Sequence, residues 1–153
     1  MRIAIGSDHA GFHLKADLIA WLEAQQISCL DVGAHQYDAE DDYPDFAIAV
    51  GQAVAAGKAE LGVMICGTGI GSSIALNKLP GLRAAACSDT FSARHSRLHN
   101  DANVLCLGER VVGPGLAKEL VAAWLQESFE GGGRHQRRLD KIAALDRQEG
   151  ECR

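Results

Sequence analysis

The chain lacks an excess of positive charge. Its formal net charge is −5, so no basic field invites nucleic acid. It lacks any apolar run near the ~18 residues that a membrane-spanning helix needs, which speaks against a membrane partner. Its start, Met-Arg-Ile-Ala-Ile-Gly, reads at once as a strand and has no secretory-signal pattern. It lacks a CxxC pair: the cysteines at 29, 66, 87, 106 and 152 are an odd set without metal-ligand spacing. That argues against a disulfide frame or a zinc site and for reduced thiols in a cytoplasmic protein. Aromatic residues are only 5 %, and the apolar weight rests on Ala, Val, Leu and Ile, as in compact α/β proteins. Internal repeats and low-complexity tracts are missing. The 153 residues are expected to form one domain, 1–153, with a substantial core.

What is present centres on Leu61-Gly-Val-Met-Ile-Cys-Gly-Thr-Gly-Ile-Gly71. The apolar run reads as a buried parallel strand. It breaks at Cys66 into three glycines spaced by one residue each, and Ser-Ser-Ile-Ala-Leu-Asn-Lys then reads as a helix. A strand entering a glycine turn and a helix N-terminus leaves several N–H groups without intrahelical partners, which makes an anion site. Cys66 stands at its mouth, where such amides favour the thiolate. A base beside an anion hole is what proton abstraction next to a carbonyl requires.

The rest of the chain alternates strand and helix. Strands are expected at Arg2–Gly6, Ser28–Val32, up to Cys66, Leu82–Cys87 and Asn103–Leu107. The first helix runs to about Gln25, with Leu14, Leu18, Trp21 and Leu22 on one stripe. Residues 34–43 are a polar, acidic loop. Pro44 opens a helix to about Ala56. Another stops near Pro80. Ser88 or Asp89 caps a helix through about Leu98. Gly113-Pro114 starts one through about Glu127, with Leu116, Leu120 and Trp124 on one side. Gly131–Gly133 is a hinge before a charged helix from about Arg134 to Gln148, and the last five residues, including Cys152, are expected to fray. The pattern implies a three-layer α/β/α, Rossmann-like fold with a five-stranded parallel sheet and an extra C-terminal helix. Ligands of such folds bind beyond the carboxyl ends of the strands. That rim holds Asp8, His9, Cys66–Gly71, the Ser88 region and Glu109-Arg110.

Each constellation has an ordinary reading beside it. Asp8 and His9 are either a cap and a surface ring or, from their place on the rim, holders of sugar hydroxyls. Gly67, Gly69 and Gly71 give G-x-G-x-G rather than the G-x-G-x-x-G of dinucleotide folds, and no G-K-[ST] follows. His95 and His99 are four apart, yet two ligands make no metal site without a third; His95 reads as a solvated helix residue and His99 as a neutral-pH proton donor at a helix end. Arg134 and Arg138 share one helical ridge. They are either a solvated face or a bidentate phosphate clamp. Leu139, Ile142 and Ala143 form a separate apolar strip, so the helix packs somewhere. The glycine hinge would let this arm reach a second subunit.

Gly6-Ser-Asp-His-Ala-Gly11, Asp42-Tyr-Pro44, Cys66-Gly-Thr-Gly-Ile-Gly71, Asn77-Lys78, Arg94–Asn103, Gly108-Glu-Arg110 and Gly131–Arg138 together resemble ribose-5-phosphate isomerase type B. That family extends to galactose-6-phosphate isomerase subunits. The resemblance implies interconversion of ribose 5-phosphate and ribulose 5-phosphate in the pentose phosphate pathway, without metal or cofactor. It implies a homodimer with sites at the subunit interface, with pairing into tetramers open. The family's base falls on Cys66; some relatives use a Glu in the following helix, and here that stretch has no acid. The ring-opening acid falls on His99, assisted by Thr68. Sugar contacts fall on Asp8, His9 and Asn100, and the anion hole on Gly67, Thr68, Gly69, Ile70 and Gly71. Phosphate ligands fall on Arg134 and Arg138, with Arg110 joining and His9 near. The rival readings, in order, are an isomerase of a hexose or tetrose phosphate, a non-catalytic sugar-phosphate sensor, and an NAD-binding oxidoreductase.

Overall fold

The computed structural model describes residues 1–148; the segment expected to fray, with Cys152, lies outside the described residues. Five strands form one parallel sheet: β1 (Arg2–Ser7), β2 (Ser28–Asp31), β3 (Leu61–Cys66), β4 (Ala84–Ala86) and β5 (Val104–Gly108), in the order β2-β1-β3-β5-β4. Six helices connect or follow them: α1 (Phe12–Ala24), α2 (Tyr43–Ala55), α3 (Ile70–Leu76), α4 (Thr90–Asn100), α5 (Pro114–Leu125) and α6 (Gly133–Gln148). The Rossmann-like expectation stands. Among the described residues, no helix is long and apolar enough to cross a membrane.

Period-two alternation in the central strands divides the core. Ile3 and Ile5 of β1, Val63 and Ile65 of β3, and Leu105 and Leu107 of β5 face α1 and α5, where Leu18, Leu22, Leu120 and Trp124 are fully buried. Ala4, Met64, Val104 and Cys106 face the other way, toward Ala47 and Val50 of α2 and Leu76 of α3. Because both faces are covered, β3 is apolar throughout, and its six residues are all buried. Cys66 shares parity with Met64, so its side chain emerges on the α2–α3 side of the sheet.

Several local readings shift. β4 has three residues rather than six, because it is the outer strand and pairs with β5 alone. Asp89, not Ser88, caps α4: its Oδ1 accepts the Ser92 N–H at 2.7 Å. Trp21 is half-buried, and Leu116 is exposed in the first turn of α5. In the strip of α6 only Leu139 is buried, while Ile142 and Ala143 are exposed. The hinge glycines all hold positive φ, between 53° and 67°, so Gly131–Gly133 form a left-handed turn rather than a free joint. That turn lays α6 against its own chain, where the Asp146 carboxylate accepts the Gly81 N–H at 2.9 Å.

A pair that amphipathic patterning does not reveal fixes the start of the acidic loop. Lys15 lies in α1 yet is 97 % removed from solvent. Its ammonium donates to both Asp31 oxygens at 2.8 and 2.9 Å and to the Ala34 carbonyl at 2.6 Å. Burial of an ammonium is tolerable because each hydrogen has a partner.

Candidate active site

β1, β3 and β5 are neighbours in the sheet, and the loops beyond their carboxyl ends meet. Asp8 and His9 follow β1, Cys66–Gly71 close β3, and Arg110 follows β5. Together with Ala10 and Tyr43, all of these except Gly69 and Ile70 line a cavity of about 260 Å³. Most of the residues expected on this rim are therefore brought together.

Each is held by its own backbone logic. Asp8 Oδ1 accepts the Ala10 and Gly11 N–H groups at 3.0 and 3.1 Å, capping a short 3₁₀ turn. Burial nevertheless raises the Asp8 carboxyl above the ordinary aspartate range, against the pull of His9. Cys66 is only 4 % exposed, but it lines the cavity. Its Sγ accepts the Gly69 N–H at 3.1 Å and lies 3.4 Å from Ser72 Oγ in the next helix. Gly69 has φ 78° and backs onto the carbonyl carbons of Cys106 and Leu107, so only glycine fits. The anion hole is smaller than expected: the Gly69 N–H goes to sulfur, and the Ile70 N–H goes to Thr68 Oγ1 at 3.3 Å. Arg110 donates its N–H to the Gly67 carbonyl at 3.1 Å, which carries its guanidinium beside that glycine.

Gly108 sets the position of this loop. A Cβ there would come within 2.5 Å of Thr68 Cα and carbonyl carbon. Gly108→Ala must therefore push the Cys66–Gly69 turn outward, and displacement on that scale typically lowers kcat/KM about 10²-fold. Gly113→Ala is the control, since nothing lies within 4 Å of its added methyl. Steady-state kinetics on both variants, with melting curves, check this: wild-type kinetics in Gly108→Ala would mean that the turn's placement is unimportant.

His99, Asn100, Arg134 and Arg138 are not in this cavity. α4 starts beyond the carboxyl end of β4 and ends just before β5 begins, so His99 and Asn100 sit at the opposite rim. The length of β5 puts about 13 Å between the two rims. His99 is not a loosely exposed end residue. Its ring stacks on His135 at 4.2 Å and meets His95 at 4.8 Å. His95 is itself stacked on Phe91 at 3.9 Å rather than freely solvated. Glu130 joins His99 and His135 in an arrangement that could approach a metal-ligand set. The local charge favours an anion instead: Arg134 Nε donates to His135 Nε2 at 3.4 Å. Burial, His99, Arg134 and Arg138 together hold His135 below the ordinary imidazole range.

Two contributors escaped the sequence reading. Tyr43, the first residue of α2, packs its ring over Gly71 and lines the cavity; its signal was the Asp-Tyr-Pro triplet, in which Pro44 at the helix start fixes the entry of the chain. Asp41 binds His9 from behind, and nothing in the acidic run singles it out from its neighbours.

Fold and site together describe an α/β protein with a thiol and an arginine in one cavity at the carboxyl ends of its parallel strands. The chain matches the Ribose/Galactose Isomerase family model over residues 3–142, and it belongs to that family. It is 48 % identical to the Ribose-5-phosphate isomerase B of Escherichia coli over 95 % of this chain and 96 % of that one. It is 42 % identical to the D-erythrulose-4-phosphate isomerase of Pectobacterium atrosepticum over 97 % of each. The structure of Clostridium thermocellum Ribose-5-Phosphate Isomerase B superposes with a TM-score of 0.94 at 48 % identity, covering 97 % of this chain and 99 % of that one. The chain is accordingly a sugar isomerase of the aldose–ketose kind.

Proposed function

We propose that the chain interconverts D-ribose 5-phosphate and D-ribulose 5-phosphate by proton transfer through an enediolate, with Cys66 as base, as a homodimer whose sites each draw on two copies. The observation that carries this reading is the meeting of Cys66 with Asp8, His9, Thr68 and Arg110 in one cavity. Asp8 and His9 hold the sugar hydroxyls. The Cys66 thiolate takes the C2 proton of the open aldose. The loop amides of Gly67, Thr68 and Gly71, which have no hydrogen-bond partner outside regular structure among the described residues, face the developing oxyanion. The proton returns to C1 as a proton moves from O2 to O1, so the ketose forms with no net gain or loss.

His99, Asn100, Arg134 and Arg138 enter from the second copy. His99 and Thr68 transfer the proton that opens the furanose, and the arginines, with Arg110, hold the phosphate. Support comes from what each rim holds: the cavity has the thiol and Arg110, and at the other Arg134 lies beside His135, which stacks on His99. Ile70 and Ile74, one turn apart on α3 beside the cavity, are 59 % and 58 % exposed, an apolar surface suited to a partner.

A second reading, a tetrose-phosphate isomerase, is favoured by relatives named D-erythrulose-4-phosphate isomerase. The deciding experiment measures kcat/KM for ribose 5-phosphate, D-erythrulose 4-phosphate and a hexose 6-phosphate, with a chelator present throughout. Highest kcat/KM on the pentose supports the first reading, and preference for the tetrose replaces it with the second. Tight binding of every sugar without turnover would leave a sensor.

A further inference from the structure

His9 meets the cavity with a ring that is already gripped from behind. The grip comes from Asp41, 32 residues away in the acidic loop. One carboxylate oxygen, Oδ1, accepts both the His9 backbone N–H at 2.9 Å and the His9 Nδ1 at 2.7 Å. The loop is itself anchored by Lys15 on Ala34. We propose that Asp41 is a positioning residue of the active site, which fixes the rotamer and tautomer of His9 so that Nε2, and not Nδ1, meets the substrate. The proposal rests on the isomerase reading only in that His9 contacts the sugar phosphate.

Three observations converge on it. Donation to a carboxylate requires hydrogen on Nδ1, which leaves Nε2 as the ring's free nitrogen, and His9 but not Asp41 lines the cavity. Asp41 has a side chain only 10 % exposed, although it belongs to a run of surface acids. Its second oxygen, Oδ2, is buried with no hydrogen-bond partner among the described residues. A carboxylate placed for stability alone would turn that oxygen to water or to a donor; one placed to aim a ring need satisfy only the oxygen that does the aiming.

The charges around His9 agree. Asp8 and Asp41 lie beside it, the Tyr37 ring approaches edge-on at 6.3 Å, and Cys66, Tyr43 and Arg110 line the cavity with it. The hydrogen bond to Asp41, reinforced by Asp8, holds the imidazole above its ordinary range despite some desolvation. His9 therefore stays a cation, with Nε2–H as a donor, to higher pH than a free histidine.

The test combines long-range ¹H–¹⁵N NMR of the imidazole with the pH dependence of kcat/KM, on wild type, Asp41→Asn and Asp41→Glu. Asparagine keeps an acceptor but removes the charge. In Asp41→Asn the His9 midpoint should fall, and the alkaline limb of kcat/KM should move to lower pH with it. The rate near neutrality should drop about 10–100-fold, the usual effect of removing such a supporting partner. Asp41→Glu should restore part of each. An unchanged His9 midpoint in Asp41→Asn overturns the proposal, as does lost activity with an unchanged midpoint and tautomer, the mark of a merely structural role. If Asp41→Asn does not fold, wild type decides: a neutral His9 protonated on Nε2 rather than Nδ1 sinks the idea. If wild type isomerises no phosphosugar, the functional reading fails while the His9 titration still decides the part of Asp41.

Discussion

Cys66→Ala is expected to lower turnover by about 10²–10⁴-fold, the range that a positioned acid or base contributes, while the fold survives. Cys66 is the last residue of β3, on the face that carries Met64, so its sulfur emerges at the carboxyl rim beside α3. There it accepts the Gly69 N–H, the kind of donor that a sulfur anion needs. The other described cysteines have no such role. Burial pushes Cys29 and Cys87 up to about 11 and raises Cys106 as well, so all three are neutral thiols near pH 7. None of them lines the cavity.

Alanine removes the acceptor of a buried N–H, a loss of about 1–3 kcal/mol. Cys66→Ser is therefore the companion variant: it keeps an acceptor of similar size but offers an alcohol, a much weaker acid than a thiol. Both variants should show wild-type circular dichroism, and both should convert ribose 5-phosphate to ketose about 10²–10⁴-fold more slowly in a coupled assay. More than a tenth of the wild-type rate in either folded variant would remove Cys66 from the proton transfer.

The reach of the sequence is uneven for reasons that are physical. The fold was legible because β3 is continuously apolar and bounded by glycine, and such a run between helical stripes admits few placements other than a doubly covered sheet. Leu14, Leu18 and Leu22 recur with the helical period and are all buried. Half of the site was legible for the same reason: loops at the ends of adjacent parallel strands converge wherever the sheet order brings the strands together. Asp41 was not legible, because its role depends on which one of several consecutive acids the loop turns inward, and no periodicity governs a loop. Lys15 was hidden by the opposite fault, since a charged residue on a helix is assigned to solvent by default, and only the positions of Asp31 and Ala34 justify its burial. The path of α6 was not legible because three glycines permit many directions, and here all three adopt a left-handed turn.

The separation of the two rims leads to the strongest expectation about assembly. Suppose that every site takes Cys66 from one copy and His99 from the other. A dimer of Cys66→Ala with His99→Asn then holds one site carrying both defects and one carrying neither. Each parent homodimer is dead at both sites. Refolding the two inactive variants together in equal amounts gives mixed dimers as about half of the population, so activity should return to about a quarter of the wild-type value for two-fold symmetric pairing. Copies carrying different affinity tags allow the mixed dimer to be isolated, and its rate should then be about half that of wild type. The ionic part of the same prediction uses Arg138→Ala in place of His99→Asn. Recovery should appear again in kcat/KM, because the intact site keeps both its thiol and its phosphate clamp. If each chain instead carried a complete site, mixing would restore nothing, since every copy would remain defective wherever it was paired. An outcome at that level would overturn the shared site, because an inactive His99→Asn variant that mixing cannot rescue needs its histidine within its own chain, across the strands that here keep His99 apart from Cys66.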